Sequence, residues 1–67
     1  MKTQKRTELF RNFKMELESD VENGSLFDTT VTIIPNGETT NVLFTIEGEQ
    51  IEDFIKDFDA LISKYKI

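Results

Sequence analysis

Apolar residues recur at a helical period in the first third of this 67-residue chain. From about Thr7 to Glu22 they lie three or four positions apart, which places them on one face of a helix. These residues are Leu9, Phe10, Phe13, Leu17 and Val21. Asn23 and Gly24 follow, and glycine suits the left-handed position that commonly closes a helix. The pattern predicts a first helix over residues 7–22.

A longer apolar stripe of the same period runs through the C-terminal end of the chain. Its members are Ile51, Phe54, Ile55, Phe58, Leu61, Ile62 and Tyr65. Gly48 and the acids Glu49, Glu52 and Asp53 mark its start, as is typical of a helix N-terminus. Aromatic and aliphatic residues at this spacing form part of a core far more often than a cofactor-binding face. The stripe predicts a second helix.

Two runs rich in threonine and branched apolar residues lie between these segments, from Leu26 to Ile34 and from Thr40 to Glu47. They are joined by the sequence Pro-Asn-Gly-Glu at 35–38, which predicts a β-hairpin. A two-residue turn or a four-residue loop sets Val31 opposite Val42. One face then carries Phe27, Val31, Ile33, Val42, Phe44 and Ile46. A type I turn with a glycine bulge would slip the register by one and scatter these residues over both faces, so burial favours the first register.

The predicted fold is therefore an α+β domain in the order helix, antiparallel β-hairpin, helix. It spans residues 1–67 as a single domain, with residues 1–6 as a flexible basic N-terminus. A lone hairpin has two open edges and is marginally stable, so a second copy is expected to complete the sheet as a homodimer. The predicted core comprises Phe13, Leu17, Phe27, Val31, Phe44, Ile46, Phe54, Phe58 and Leu61.

Composition argues against catalysis. The chain has no histidine and no cysteine, so an imidazole base, a Ser-His or Cys-His pair and a His- or thiolate-ligated metal site are all excluded. No phosphate-binding loop, dinucleotide fingerprint or EF-hand sequence is present. We expect neither an enzyme nor a cofactor or metal. With no disulfide chemistry, leader segment or membrane-spanning run in the sequence, the expected location is the cytoplasm.

Charge is segregated along the chain. All eight basic residues lie in 2–14 or 56–66, whereas residues 15–55 carry ten acids and no lysine or arginine. The predicted first helix is also charged against its dipole, basic near its start and acidic near its end, which invites a reason outside folding. We predict an acidic partner-binding face that includes Glu16, Asp20, Glu47, Glu49, Glu52 and Asp53. Such a face attracts basic protein surfaces and repels nucleic acid and anionic membranes.

The segment IIPNGETTNVLFTIEGEQIEDFIKDF, Ile33 to Phe58, resembles the hairpin and acidic helix of some type II anti-CRISPR inhibitors, a class of small acidic phage proteins. The resemblance covers 26 of the 67 residues and rests on layout and on a few apolar and acidic positions. Acidic dimeric inhibitors of the histone-like HU proteins similarly use an acidic surface against a basic, nucleic-acid-binding protein. The resemblance implies an inhibitor of a host nucleic-acid-binding protein, and it transfers no residue-level motif.

Two non-catalytic functions therefore stand from the sequence, and an enzyme comes last after them. The first is a small inhibitor or regulator that occupies the basic, nucleic-acid-binding surface of a host protein, with its acids either standing in for DNA phosphates or only adding solubility. The alternative is a non-catalytic interaction module or small subunit that docks through its hairpin edge or an apolar surface.

Overall fold

The computed structural model describes residues 2–66, which form four antiparallel strands followed by a helix. The strands are β1 (Lys2–Leu9), β2 (Phe13–Glu22), β3 (Ser25–Pro35) and β4 (Val42–Ile46). A single 3-10 turn at Gly48–Gln50 then leads into helix α1 (Ile51–Tyr65). The strands lie in the sheet in chain order, β1-β2-β3-β4, and α1 packs on one face of the sheet. The predicted helix, hairpin, helix fold is therefore wrong.

The predicted first helix is replaced by β1 and β2. From residue 13 to residue 21 the sequence alternates between the two faces of a strand, because Met15, Leu17 and Ser19 are buried while Glu16 and Glu18 between them are exposed. Alternation of this kind has period two and fits a half-buried strand. The helical spacing used for the prediction passed over Met15, which is fully buried. The structure also places residues 2–6 in β1, where they pair with β2.

Asn23 and Gly24 close a hairpin rather than a helix. Glu22 and Ser25 are paired across β2 and β3, which leaves a two-residue turn between them. Both turn residues have positive φ, 52° at Asn23 and 80° at Gly24. A type I′ turn requires this conformation at both positions, and Asn-Gly is its preferred sequence.

A bulge in β3 decides which of two neighbouring apolar residues joins the core. Ser19 pairs with Thr29, but Val21 pairs with Leu26, so β3 has one residue more than β2 over this interval. The extra residue reverses the alternation of side chains in β3. Leu26 consequently packs against the core, whereas Phe27 remains 47% exposed.

The predicted β3–β4 hairpin is confirmed, with a longer loop and a different register. Val31 lies opposite Phe44 rather than Val42. This is a shift of two residues, which keeps the side chains of the paired segments, 29–33 and 42–46, on their predicted faces. Within the loop, the Glu38 N–H donates to the carbonyl of Pro35 at 3.2 Å, and Gly37 adopts a φ of 80° that favours glycine.

The predicted second helix is confirmed as α1. Gly48 fixes its start on the sheet, since a Cβ added there would lie 2.2 Å from the carbonyl oxygen of Leu26. The Phe54 ring then meets Phe44 on β4 at a centroid distance of 5.4 Å. One turn further, Phe58 meets Phe10 at 5.0 Å, beside the turn between β1 and β2. The helix therefore runs across the sheet from the end of β4 towards the β1-β2 turn.

The buried core is small and lies between α1 and the two central strands. It consists of Met15, Leu17, Val31 and Ile51, surrounded by partly buried aromatic and aliphatic side chains. Among the predicted core residues, Phe27 and Leu61 are about half exposed, at 47% and 49%. The prediction for these two residues is wrong, because the bulge turns Phe27 outward and Leu61 is not covered by the sheet.

The predicted homodimer depends on a two-stranded sheet that needs a second copy to cover its edges, whereas residues 2–66 form a larger sheet. Because β1 and β2 come from the same chain, one copy already forms a four-stranded sheet with a covered face. A sheet of this size packed against a helix satisfies the usual requirement for independent stability.

Candidate functional site

Three of the five basic side chains in residues 2–14 form ion pairs with acids. Lys5 on β1 lies opposite Glu18 on β2, and their charged atoms are 3.8 Å apart. Lys14 Nζ lies 3.7 Å from Glu16 two residues along the same strand. Basic and acidic residues that lie apart in the sequence, Lys5 and Glu18, are thus brought together across two strands. This strand pairing also removes the argument from a reversed helix dipole, because this segment is not a helix.

Arg6 joins β1 to the first turn of α1. Its side chain lies on the helix-covered face and pairs with both Glu8 and Glu52. The hydrogen bond to Glu52, followed by the one to Glu8, raises the pKa of Arg6 above its ordinary value. The guanidinium therefore stays charged throughout the physiological range. As a result, one of the six predicted partner-binding acids, Glu52, is already neutralised within the chain.

Acids without such partners concentrate where α1 begins. Among the described residues, ion pairs involve only Glu8, Glu16, Glu18 and Glu52 of the thirteen acids in the chain. Six of the other acids lie on the β2-β3 hairpin, the bulge, the 3-10 turn and the first turn of α1. We call this set the acidic end: Asp20, Glu22, Asp28, Glu47, Glu49 and Asp53.

The fold brings the members of the acidic end to one end of the sheet. The 3-10 turn that carries Glu49 packs on Leu26 through Gly48. Leu26 stands two residues past the Asn23-Gly24 turn, and its neighbour Ser25 pairs with Glu22. The hairpin and the start of α1 are therefore adjacent. All six acids are exposed except Asp20, which is half-buried.

A concavity of about 540 Å³ opens at this end, between the start of β3 and the 3-10 turn. Ser25, Leu26 and Phe27 line one side, and residues 47–49 line the other. Phe27, which is about half exposed, thus lines the same concavity as Glu47 and Glu49. An aromatic face beside carboxylates is suited to a lysine or arginine side chain, since both groups attract a cation.

The structure separates the six predicted partner-binding residues. Glu47, Glu49 and Asp53 lie together in the acidic end, with Asp20 on the adjoining bulged part of β2. Glu16 lies elsewhere, because it points to the face of the sheet opposite α1 and pairs with Lys14. Sequence reasoning left out Glu22, Asp28 and Phe27. The Asn23-Gly24 hairpin signal could have placed Glu22 there, but no sequence signal marked the bulge that exposes Phe27.

Comparison with known proteins gives this chain no relative. No protein-family model matches it, and neither a curated protein nor a solved structure gives a significant match. In residues 2–66 no three acids are grouped so that they could hold a metal ion. Over the same residues, no helix is long and apolar enough to cross a membrane.

Proposed function

We propose that this protein is a non-catalytic inhibitor or regulator that binds the basic, nucleic-acid-binding surface of a host protein through its acidic end. The observation that carries the proposal is the contrast in charge pairing. Lys5, Arg6 and Lys14 form ion pairs with acids elsewhere in the chain, whereas none of the six acids of the acidic end forms an ion pair within residues 2–66. An uncompensated field of one sign attracts a partner of the opposite sign.

The sequence and the surface chemistry favour binding over catalysis. With no histidine or cysteine, the chain lacks the usual proton-transfer groups and nucleophile pairs of hydrolases. The net charge of −5 also makes a nucleic acid an unsuitable ligand, because phosphates are repelled by the same carboxylates. A protein surface that normally binds phosphates is the complementary partner. The resemblance of residues 33–58 to acidic phage inhibitors supports the same class of target.

A capture experiment tests this proposal directly. The immobilised protein is incubated with nuclease-treated bacterial lysate at about 0.1 M and about 1 M salt, over which range the Debye length falls from about 10 Å to about 3 Å. We expect a nucleic-acid-binding protein to be retained only at the lower salt. Duplex DNA added to the purified complex should then displace the acidic protein, since both compete for one basic surface.

Two matched variants locate the contact. E47Q/E49Q/D53N removes three charges from the acidic end, and E38Q/D57N/D59N removes three unpaired charges from the loop and from the exposed side of α1. Capture should fail for the first variant and persist for the second. Equal loss in both variants would show that only net charge matters. A partner retained at high salt and indifferent to DNA would contradict the proposal.

A further inference from the structure

The two edges of the sheet differ in charge. β1, at one edge, carries Lys2, Lys5, Arg6 and Glu8 among its eight residues. β4, at the other edge, has the sequence Val-Leu-Phe-Thr-Ile and carries no charge. Charged side chains, lysine above all, are the usual means by which an edge strand avoids pairing with another chain. β1 has this protection, and β4 lacks it.

The outer edge of β4 is open within residues 2–66. Its inner edge pairs with β3, and no further strand lies beyond it. Every second residue of an edge strand directs its backbone N–H and C=O groups away from the sheet, where they are available to another strand. Val42 and Leu43 are 59% and 62% exposed, so apolar side-chain surface accompanies these groups. Backbone pairing would provide affinity, and the side chains would provide selectivity.

The β4 edge leads directly into the acidic end. β3 pairs with β4 only from Thr29 onward, and its earlier residues lie beside the 3-10 turn instead. A strand laid along β4 would lie two strand spacings, about 10 Å, from β3. A lysine or arginine just past Ile46 would have to extend its side chain across the end of β4 towards the concavity that Phe27, Glu47 and Glu49 line. One extended ligand could contact the uncharged edge and the acidic concavity together.

We propose that β4 accepts an extended segment of the partner as a fifth, antiparallel strand, with a lysine or arginine preceding its strand residues. The antiparallel direction puts the N-terminal side of that segment beside Ile46, so its basic side chain enters the concavity over Phe27 and between Glu47 and Glu49. This inference rests on the proposed function and specifies how the basic partner is held.

A second copy of this chain fits the same edge poorly. In an antiparallel pair centred on Phe44, residue 47 of one copy would stand opposite residue 41 of the other, and residue 49 opposite residue 39. These positions hold Asn41 and Thr39, and the chain has no lysine or arginine between residues 14 and 56. Two copies would also bring together net charges of −5 each. The charge of the site therefore favours a foreign, basic segment.

The test uses isotope-labelled protein and an acetylated, amidated hexapeptide of sequence Arg-Thr-Val-Thr-Val-Thr. NMR titration should shift the amide signals of residues 42–49 and of Phe27, while those of β1 stay in place. A peptide N-methylated at all five of its threonine and valine residues has no N–H left on its strand residues to donate and should not bind. Replacement of its arginine by glutamate should weaken binding at least tenfold.

Matched protein variants separate the two edges. Leu43→Lys places a lysine on the exposed face of β4, and Leu9→Lys places one at the exposed end of β1, where Leu9 is 78% exposed. Peptide affinity should fall several-fold for L43K and stay unchanged for L9K, although both variants have the same net charge.

Several outcomes would overturn the inference. They are no binding up to roughly millimolar peptide, shifts along β1, equal affinity for the glutamate peptide, and a protein dimer in sedimentation that L43K dissociates. Equal binding of the N-methylated peptide with shifts only at residues 47–53 would also overturn strand pairing, while leaving the proposed role of the acidic end intact. The converse result is peptide pairing along β4 in the titration but no salt-sensitive capture from the lysate. It would support the strand-binding site and contradict the proposed basic host target.

Discussion

The two faces of the sheet show how this chain divides stability from recognition. The face under α1 holds Met15, Leu17 and Val31, which are at most 2% exposed. The opposite, open face carries threonines and paired charges on the central strands, such as Thr30, Thr32 and the Lys5–Glu18 pair. Folding therefore depends on one face. Substitutions on the open face, at the β4 edge and in the acidic end should report on binding with little effect on folding.

The two faces should differ most in the loss of unfolding free energy when a leucine is replaced by alanine. Leu17→Ala removes a side chain that is 2% exposed, and should lower the free energy of unfolding by about 2 to 5 kcal/mol. Leu43→Ala, on the open face, should change it by less than about 0.5 kcal/mol. Urea unfolding followed by circular dichroism measures both. Similar losses at the two positions would mean that the open face is also packed against something.

The attachment of α1 to the covered face is tested at Gly48. An alanine Cβ there would meet the backbone of Leu26 at 2.2 Å, so the 3-10 turn must move, at a cost of about 1 to 3 kcal/mol. Gly37 serves as the control. It has open space around it but a φ of 80°, and G37A should cost about 1 to 2 kcal/mol from backbone strain alone. Shifts in Phe44 and Phe54 resonances should appear only in G48A.

A smaller difference in stability between the two faces is expected for a buried pair of hydroxyl groups. Ser19 Oγ and Thr29 Oγ1 lie 2.8 Å apart under the helix, and the Thr29 hydroxyl also donates to the carbonyl of Phe27 at 2.9 Å. Thr29→Val leaves Ser19 without this partner and should cost about 1 to 3 kcal/mol. Thr30→Val makes the same replacement of a hydroxyl by a methyl group on the open face, and it should lower the free energy of unfolding by less than about 0.5 kcal/mol. Thermal unfolding of the two variants compares them.

The smallest effect is expected for the Lys5–Glu18 pair on the open face. Its side chains are 80% and 51% exposed, so its coupling should lie within the usual range of about 0 to 1 kcal/mol. A double-mutant cycle with K5Q and E18Q measures the coupling, which should vanish in high salt. A coupling that survives about 1 M salt would show that the pair is shielded from solvent.

The C-terminal half of the fold could be predicted from sequence, and the N-terminal half could not. The apolar residues of α1 recur at the helical period, and most of those of β3 and β4 recur at the two-residue period of a strand. Between Phe13 and Val21, by contrast, helical and alternating spacings coexist, and Met15 distinguishes them. Asn23-Gly24 also fits both a helix end and a hairpin. The adverse charge pattern of the predicted first helix is a sign against that helix, and Lys5 and Glu18 pair across two strands instead.

The candidate site was predictable only in part for a related reason. Glu47, Glu49 and Asp53 lie close together because they are near one another in the chain, and local sequence suffices for that. Glu16 was misplaced with them, since its position depends on the strand that replaced the helix. Strict alternation in β3 predicts Phe27 in the core, and the bulge opposite Asp20 breaks that alternation. A one-residue irregularity of this kind depends on tertiary packing.

The central claim is that the acidic end, rather than net charge, drives recognition of a basic partner. Its most direct test is the association rate of the captured partner with the two triple variants, measured by stopped-flow fluorescence at about 0.1 M salt. Because local complementarity acts mainly on association, E47Q/E49Q/D53N should associate about tenfold or more slowly than wild type, and E38Q/D57N/D59N at nearly the wild-type rate. Equal slowing of the two variants, or no slowing of the first, would contradict the claim.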